Sequence, residues 1–284
     1  MKEKESHFFL NTIIFIVIII TMIFLYAKYI GIKGIEVKEY KVESNILSEN
    51  FSGVKIVHFS DLLYKSTIND EDVLELVDKI NLLKPDIVVF TGDLVNKNIK
   101  LNEKEREFLI NSLSNINVTI GKYAIYGDYD FEYEYDDIMS KSDFIILDNE
   151  YEEIFYKTNE SIYLVGLPSS IKENIYMDDA FKFYDENNRK YVIVLIHDGN
   201  TIRYIDESNY EVDLILGGHS LNGSIVLPFY GGLFKDKYSY KYVNNYYSKG
   251  ITNIYISSGL GTNDYKYRFN NKPSFNLYRL KSLK

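Results

Sequence analysis

The feature that most restricts this chain is an uncharged apolar run near its N-terminus, residues 8–27. A helix rises about 1.5 Å per residue, so this run would be about 30 Å long, the thickness of a bilayer's hydrocarbon core. A cleavable signal peptide has a shorter apolar region and a small-residue cleavage site, which Ala27-Lys28-Tyr29 fits poorly. We therefore expect an uncleaved single-pass anchor over residues 8–30, after a tail of residues 1–7.

Lysines on both sides of this run leave the orientation of the anchor open. Lys2 and Lys4 precede it, and Lys28, Lys33 and Lys38 follow it. Because Lys and Arg accumulate on the cytoplasmic side of a membrane, this count favours a cytoplasmic domain. The preceding tail is too short for the count to decide the matter.

The rest of the chain alternates short apolar runs with amphipathic segments. Asn69 or Asp70 can cap a helix that Pro85 ends, and a second helix is predicted over 103–113. Strands are predicted at residues 54–60, 86–91, 123–126, 144–147, 161–165, 191–196, 213–216, 254–257 and 275–280. This alternation predicts one layered α/β domain over residues 51–284, joined to the anchor by a linker of residues 31–50.

Charge and cysteine content exclude several classes of function. The formal net charge is -9, and an acidic surface repels phosphate backbones, so we expect no nucleic-acid partner. The chain has 0 Cys, which excludes disulfides, thiolate metal sites and a cysteine nucleophile.

Polar residues follow five of the predicted strands. Ligands of α/β proteins gather at the carboxyl ends of strands, so these residues are expected to lie near one pocket. Carboxylate and imidazole donors together suit Mn, Fe, Zn or Mg. The residues concerned are Asp61, Asp93, Asp128, His197 and His219. His58 lies inside the first predicted strand and is interpreted as a packing residue.

The order of these blocks resembles the metallophosphoesterase (calcineurin-like) superfamily, whose pattern is D-x-H, G-D, G-N-H-[DE], a lone H and G-H-x-H. Residues 227–234 and 255–273 also resemble the membrane-anchored bacterial branch of that superfamily. The resemblance implies two stacked mixed β-sheets flanked by helices, a four-layer sandwich, preceded by one transmembrane helix. It also implies a two-metal site at the strand ends and gives a slight preference for an extracytoplasmic domain.

The resemblance fails at three family histidines. Their positions hold Leu63 in the first block, Tyr129 in the third and Leu221 in the fifth, and Asp128 replaces the family Asn. In the family, the lost histidines of the first and last blocks serve the same metal, which would here retain only Asp61 and Asp93.

The other family metal site keeps a complete set of donors. By the resemblance its ligands are Asp93, Asp128, His197 and His219, with Asp61 as a weaker candidate. We therefore expect one divalent ion, Mn, Fe or Zn, instead of two.

Three functions remain open on these grounds. The first is a membrane-anchored hydrolase of phosphate esters or pyrophosphates, acting on a phosphate-bearing or lipid-linked ligand with one metal. The second is an inactive relative that binds a ligand or protein at the membrane, and the third is a structural envelope protein. Tyr129 and Asp130 are the catalytic candidates, and Arg268 and Asn222 are candidates for substrate binding, Arg268 through a phosphate.

Overall fold

The computed structural model describes residues 2–131, 133–235 and 237–284. It begins with helix α1, Lys2–Tyr29. Within it, the most apolar stretch of His7–Tyr29 has a mean hydropathy of 2.9 and is unburied, so this helix is a candidate membrane span. The predicted tail is therefore helical from Lys2 onward, and Met1 lies outside the described residues.

The remaining elements alternate as the sequence predicts. The helices are α2 Asp70–Leu83, α3 Glu103–Ser114, α4 Tyr133–Lys141, α5 Met177–Ala180 and α6 Ile202–Glu207. The strands are β1 Glu36–Ser44, β2 Lys55–Phe59, β3 Ile87–Phe90, β4 Gly121–Ala124, β5 Phe144–Ile146, β6 Glu150–Phe155, β7 Ser161–Gly166, β8 Val192–Leu195, β9 Leu214–Gly217, β10 Val226–Leu227, β11 Gly231–Gly232, β12 Tyr246–Lys249, β13 Thr252–Ile256 and β14 Ser274–Ser282.

These strands form two six-stranded mixed sheets and a short hairpin. The first sheet has the order β1-β14-β2-β3-β4-β5, and the second has the order β12-β13-β9-β8-β7-β6. In the first sheet β14 runs antiparallel to β2, and in the second both outer pairs are antiparallel. The hairpin pairs β10 with β11.

Three apolar clusters show how the layers stack. One joins the first sheet to α2, α3 and α4, through residues such as Leu76, Leu109 and Ile138. The second lies between the two sheets, and the third joins the second sheet to α5 and α6. The predicted four-layer arrangement of two mixed sheets between helices is confirmed.

The start of helix α2 follows from its sequence. Asn69 accepts a hydrogen bond from the amide of Asp72, whose carboxylate accepts one from the amide of Asn69. This reciprocal pair satisfies two amides that a helix N-terminus leaves unpaired. The helix ends at Lys84, which has a φ of 50°, directly before Pro85.

The segment predicted as a linker, residues 31–50, differs from that prediction. It contains β1, which pairs in parallel with the whole length of β14 and so forms the edge of the first sheet. Its sequence, EVKEYKVES, is rich in charge, and charged edge strands prevent sheets from pairing with other chains. Because so many of its residues are charged, β1 lacks the apolar pattern from which a strand is predicted.

The anchor helix is attached to a loop of the domain, residues 265–271. The amide of Arg268 donates to the carbonyl of Ala27 at 3.0 Å. The rings of Phe24 and Tyr267 have their centroids 4.9 Å apart. A Cβ on Gly31 would lie 1.9 Å from the carbonyl oxygen of Arg268, so this close approach requires glycine. The C-terminal end of the helix is thus packed against the domain, while the rest of the helix, from His7 onward, is exposed.

Candidate metal centre

The strand ends of both sheets meet at one cluster of carboxylates and imidazoles. The donor atoms of Asp128, His197 and His219 all lie within 4.8 Å of one another, as do those of Asp61, Asp93 and His197. Asp61 and Asp93 follow β2 and β3 of the first sheet, and His197 and His219 follow β8 and β9 of the second. The cluster therefore lies where the two sheets converge.

A backbone hydrogen bond orients His197, which belongs to both groups. Its Nδ1 lies 2.7 Å from the carbonyl oxygen of Thr91, so this nitrogen donates. Its Nε2 lies 3.5 Å from Asp93 Oδ2 and 3.8 Å from Asp128 Oδ1. Because the proton is on Nδ1, the single lone pair of Nε2 points at the carboxylates, as in histidines that bind metals.

Asp61 has one carboxylate oxygen that the described residues do not satisfy. Its Oδ2 accepts from the hydroxyl of Ser60 at 2.6 Å and the amide of His219 at 3.0 Å. Its Oδ1 is buried without a hydrogen-bond partner among the described residues. A buried oxygen of this kind is costly unless something binds it, so it fits a cation at this position.

Local backbone conformation brings the donors together. Asp61, Asp93 and His219 have φ values of 50°, 63° and 62°. Side-chain-bearing residues rarely adopt this left-handed region, and such strain clusters at functional sites. Gly92 is required beside Asp93, since a Cβ there would lie 2.3 Å from the amide nitrogen of Gly127.

Asp128 is held by a hydroxyl and by both histidines. Its Oδ1 accepts from the hydroxyl of Ser169 at 2.5 Å, and its Oδ2 lies 3.3 Å from His219 Nδ1. Burial raises the pKa of Asp128, but the hydrogen bond from His219 and the charge of His197 outweigh burial and hold the pKa well below its usual range. Asp128 is therefore ionised.

The carboxylates act on His197 in the opposite direction. Burial lowers the pKa of this imidazole, but the charges of Asp93, Asp128 and Asp61 outweigh burial and raise it well above the ordinary value. Without a metal, the cluster therefore attracts a proton to His197. A divalent cation would compete with that proton for the same lone pair.

Leu63 and Leu221 stand at two positions where the family has histidine. Leu63 and Leu221 are both buried, and their φ values of 45° and 47° repeat the left-handed conformation of the neighbouring donors. Gly259 lies between Leu221 and Asp61, where a Cβ would lie 2.5 Å from Leu221 Cδ2 and 2.9 Å from Asp61 Cβ. Apolar side chains thus border the Asp61 side of the cluster.

The two catalytic candidates, Asp130 and Tyr129, have different surroundings. Both oxygens of Asp130 accept from backbone amides, those of Asp93, Leu94 and Gly127, at 2.6–2.9 Å. This carboxylate therefore organises the turns that carry Asp93 and Asp128. Burial and the charge of Asp93 raise the pKa of Asp130 to about 7, and its expected catalytic role stays a prediction. Tyr129 is half-buried, and burial and the charge of Asp93 raise its pKa.

Arg268 and Asn222 make their polar contacts with loops of the domain, and their expected role in substrate binding stays a prediction. Arg268 is fully buried, and its guanidinium donates to the carbonyls of Ser258, Gly259, Gly261 and Asn271. The side chain of Asn222 donates to the carbonyl of Val243 and accepts from the hydroxyl of Ser258. Neither side chain joins the carboxylate–imidazole cluster, because each one holds together loops behind it.

Two residues that orient the cluster escaped sequence reasoning, Thr91 and Ser169. Thr91 ends the run DIVVFT before Gly92-Asp93, and Ser169 follows β7. Their signal is only their position after a strand, which turn residues share. A cavity of about 440 Å³ adjoins the cluster and is lined by Asp128, Tyr129, Lys97 and Lys172, among others. Its lining holds two lysines and four carboxylates, and Lys97 also pairs with Asp264, so a cation at the candidate metal centre would be needed to make it attractive to an anion.

Comparison with known proteins agrees with this geometry. Residues 54–223 match the calcineurin-like phosphoesterase family, and the chain belongs to that family. It is 30% identical over 261 residues to an uncharacterized metallophosphoesterase, YkuE, of Bacillus subtilis, covering 90% of this chain and 89% of that protein. It is 25% identical over 224 residues to the UDP-2,3-diacylglucosamine pyrophosphatase LpxG of Chlamydia trachomatis, covering 62% and 66%.

Solved structures give a weaker likeness. The purple acid phosphatase PPD1 of yellow lupin seeds matches with a TM-score of 0.40 and 14% identity, covering 74% of this chain and 44% of that chain.

Proposed function

We propose that this protein is a membrane-anchored hydrolase of phosphate esters or pyrophosphates that works with one divalent metal ion. The observation that carries the proposal is the orientation of His197, whose Nε2 faces the carboxylates while Nδ1 donates to Thr91. Family membership supports the chemistry, and the name of the chlamydial relative supports a pyrophosphate-containing lipid precursor as one substrate class.

The donor set fits one ion better than two. Both candidate groups need His197, and its single available lone pair can serve only one ion. The group of Asp128, His197 and His219, with Asp93 beside it, has two imidazoles, whereas the Asp61 group has one. Mn, Fe or Zn suits such oxygen and nitrogen donors. When bound, such an ion would polarise a phosphoryl oxygen and lower the pKa of water.

The protein's own groups would position the substrate. Lys172 and Lys97, the latter paired with Asp264, line the adjoining cavity beside four carboxylates, and together with a bound cation they would attract a phosphate group. The hydroxyl of Tyr129 stays protonated at neutral pH because its pKa is raised, so it can donate a hydrogen bond to a phosphoryl oxygen. It is a poor proton shuttle for the same reason, and we expect slow turnover.

An inactive relative that binds a ligand at the same cavity is the second candidate. The replacement of three family histidines by Leu63, Tyr129 and Leu221 favours it. Both candidates share the fold, the anchor and the cavity, and they differ only in turnover.

The test is hydrolysis by the full chain in detergent, loaded with Mn, of bis(4-nitrophenyl) phosphate and of a UDP-sugar. We expect turnover that is lost in Asp93→Asn and kept in Asp78→Asn, a matched change at an exposed carboxylate on α2. Metal binding without turnover on either substrate would support the inactive relative. Turnover that survives in Asp93→Asn would contradict the proposed site.

A further inference from the structure

A second cavity lies at the junction of the anchor helix and the domain, away from the carboxylate–imidazole cluster. Its volume is about 420 Å³, within the range of roughly 300–1,000 Å³ that is usual for small-ligand sites. Tyr26 and Gly31, at the end of the anchor, form one part of its wall. We call it the junction pocket. It lies at the end of the candidate membrane span.

Basic side chains dominate the charge of the junction pocket. Lys38, Arg268 and Lys272 line it, and Glu36 is the acidic residue among its described lining. Lys272 forms an ion pair with Glu36 at 3.1 Å. Glu36 also acts on Lys38, and Asp61 acts on Arg268 from outside the lining. The described lining still holds three cations and one carboxylate, which leaves an excess of positive charge.

Lys38 enters the junction pocket from β1. Its ammonium group donates to the hydroxyl of Ser258 and to Asn245 Oδ1, both uncharged. Burial and the charge of Arg268 lower the pKa of Lys38 to about 8. A cation buried beside another cation is unfavourable unless an anion joins them.

Arg268 supplies an independent observation. Its side chain is fully buried, and its Nε has no hydrogen-bond partner among the described residues, although the terminal nitrogens donate to carbonyls. Because Arg268 is fully buried, it contributes positive charge behind the wall of the cavity and no donor at its accessible surface. Amide side chains of Asn244, Asn245, Asn270 and Asn271 also line this cavity and can donate to a polar group.

We propose that the junction pocket is a second anion site, which binds a phosphate group at the membrane surface separately from the catalytic cavity. Two sources share this chemistry: the headgroup of an anionic phospholipid, and free phosphate or a soluble phosphomonoester. The position of the pocket beside Tyr26 places it within reach of lipid headgroups.

The test uses the full chain in detergent, stripped of metal with a chelator so that phosphate cannot bind through an ion at the candidate metal centre. Bound phosphatidylglycerol and phosphatidylcholine are counted by native mass spectrometry, and inorganic phosphate is titrated by calorimetry. Saturable binding of phosphatidylglycerol alone would assign the site to lipid headgroups. Binding of inorganic phosphate that displaces the lipid would assign it to phosphate in general.

Single substitutions that remove a charge test whether the anion binds in the junction pocket. Lys272→Gln, at a partly exposed residue that should fold normally, should weaken binding by about three- to fivefold. Lys38→Gln should weaken it by about tenfold or more, and Glu36→Gln should strengthen it. Lys104→Gln on α3 removes the same charge outside the pocket and should have no effect.

The proposal is overturned if neither probe binds, or if Lys272→Gln and Glu36→Gln bind as Lys104→Gln does. Hydrolysis by the metal-loaded chain is measured separately, so failure here leaves the proposed hydrolase untouched.

Discussion

Nδ1 of His197 lies 2.7 Å from the carbonyl oxygen of Thr91, and this contact fixes which nitrogen faces the cluster. The acceptor belongs to the main chain beside β3, whereas His197 follows β8 of the other sheet. The hydrogen bond therefore joins the two sheets at the candidate metal centre. The arrangement of the cluster depends on how the sheets pack.

The first prediction concerns metal content. The full chain in detergent, purified after growth with Mn, Zn and Fe, should hold about one ion after dialysis, and His219→Ala should lose it because an imidazole of the cluster is removed. His7→Ala, the same change in the anchor helix, is the matched control. Elemental analysis by mass spectrometry measures the ratio. Retention of the ion in His219→Ala would contradict the assignment.

A second prediction tests the hydroxyl that holds Asp128. Ser169→Ala removes the hydrogen bond to Asp128 Oδ1 and should weaken metal affinity by about 10-fold or more, as loss of such supporting contacts commonly does. Competition with a coloured chelator measures the affinity. Ser170→Ala is the control, because Ser170 donates to Asp198 outside the cluster. Equal effects of the two variants would assign Ser169 no special role.

The third prediction restores the family pattern. Leu63→His together with Leu221→His places two imidazoles near Asp61, where a buried oxygen lacks a partner. The double variant should bind about two ions and hydrolyse bis(4-nitrophenyl) phosphate faster, since two ions can clamp the attacking and leaving oxygens. Each single variant is a control with an incomplete set. A double variant that still holds one ion would show that more than these two residues prevents binding.

The fourth prediction concerns acid stability. His58 is fully buried, and burial lowers its pKa to about 3, below the ordinary value of 6.5. As the pH falls below about 6.5, His58 therefore binds a proton in the unfolded chain but not in the folded chain. At about 1.4 kcal/mol per pH unit, folding should lose about 2 kcal/mol between pH 7 and pH 5 from this residue.

Urea unfolding of the full chain in detergent between pH 5 and pH 7.5 measures this loss. The variant His58→Gln should be less stable at neutral pH, since it disturbs the contacts with Thr91 and Tyr278. Its stability should then depend less steeply on pH than that of the wild type. Identical slopes would mean that folding does not shift the pKa of His58.

The central strands could be predicted from sequence because burial on both faces leaves a simple apolar signal. Of the four edge strands of the two described sheets, β5 is predicted from the sequence, but β1, β6 and β12 are not. The edge strands β1 and β6 read EVKEYKVES and EYEEIF, and their charges serve solubility at the sheet edge while hiding the strand pattern. Periodicity records burial, and an edge strand is only partly buried.

The candidate metal centre shows the same limit at single residues. Asp93, Asp128, His197 and His219 were identified as ligand candidates because side chains at strand ends converge in this class of fold. The hydrogen bonds of Asp130 and Arg268 cannot be predicted from the sequence, because they join main-chain amides and carbonyls of loops that are distant along the chain. The sequence pattern locates the candidate metal centre, but the hydrogen bonds that support its residues are visible only in the structure.

The hydrogen bond from the amide of Arg268 to the carbonyl of Ala27 limits how the domain moves relative to helix α1. Only residues 30–35 separate the anchor helix from β1, and the helix end is packed against the domain. The domain therefore cannot swing freely as it would on a long flexible tether. With α1 as the membrane span that we propose, the cavity beside the candidate metal centre would be held at a set height above the lipid plane. It would then reach only molecules in the layer at that height.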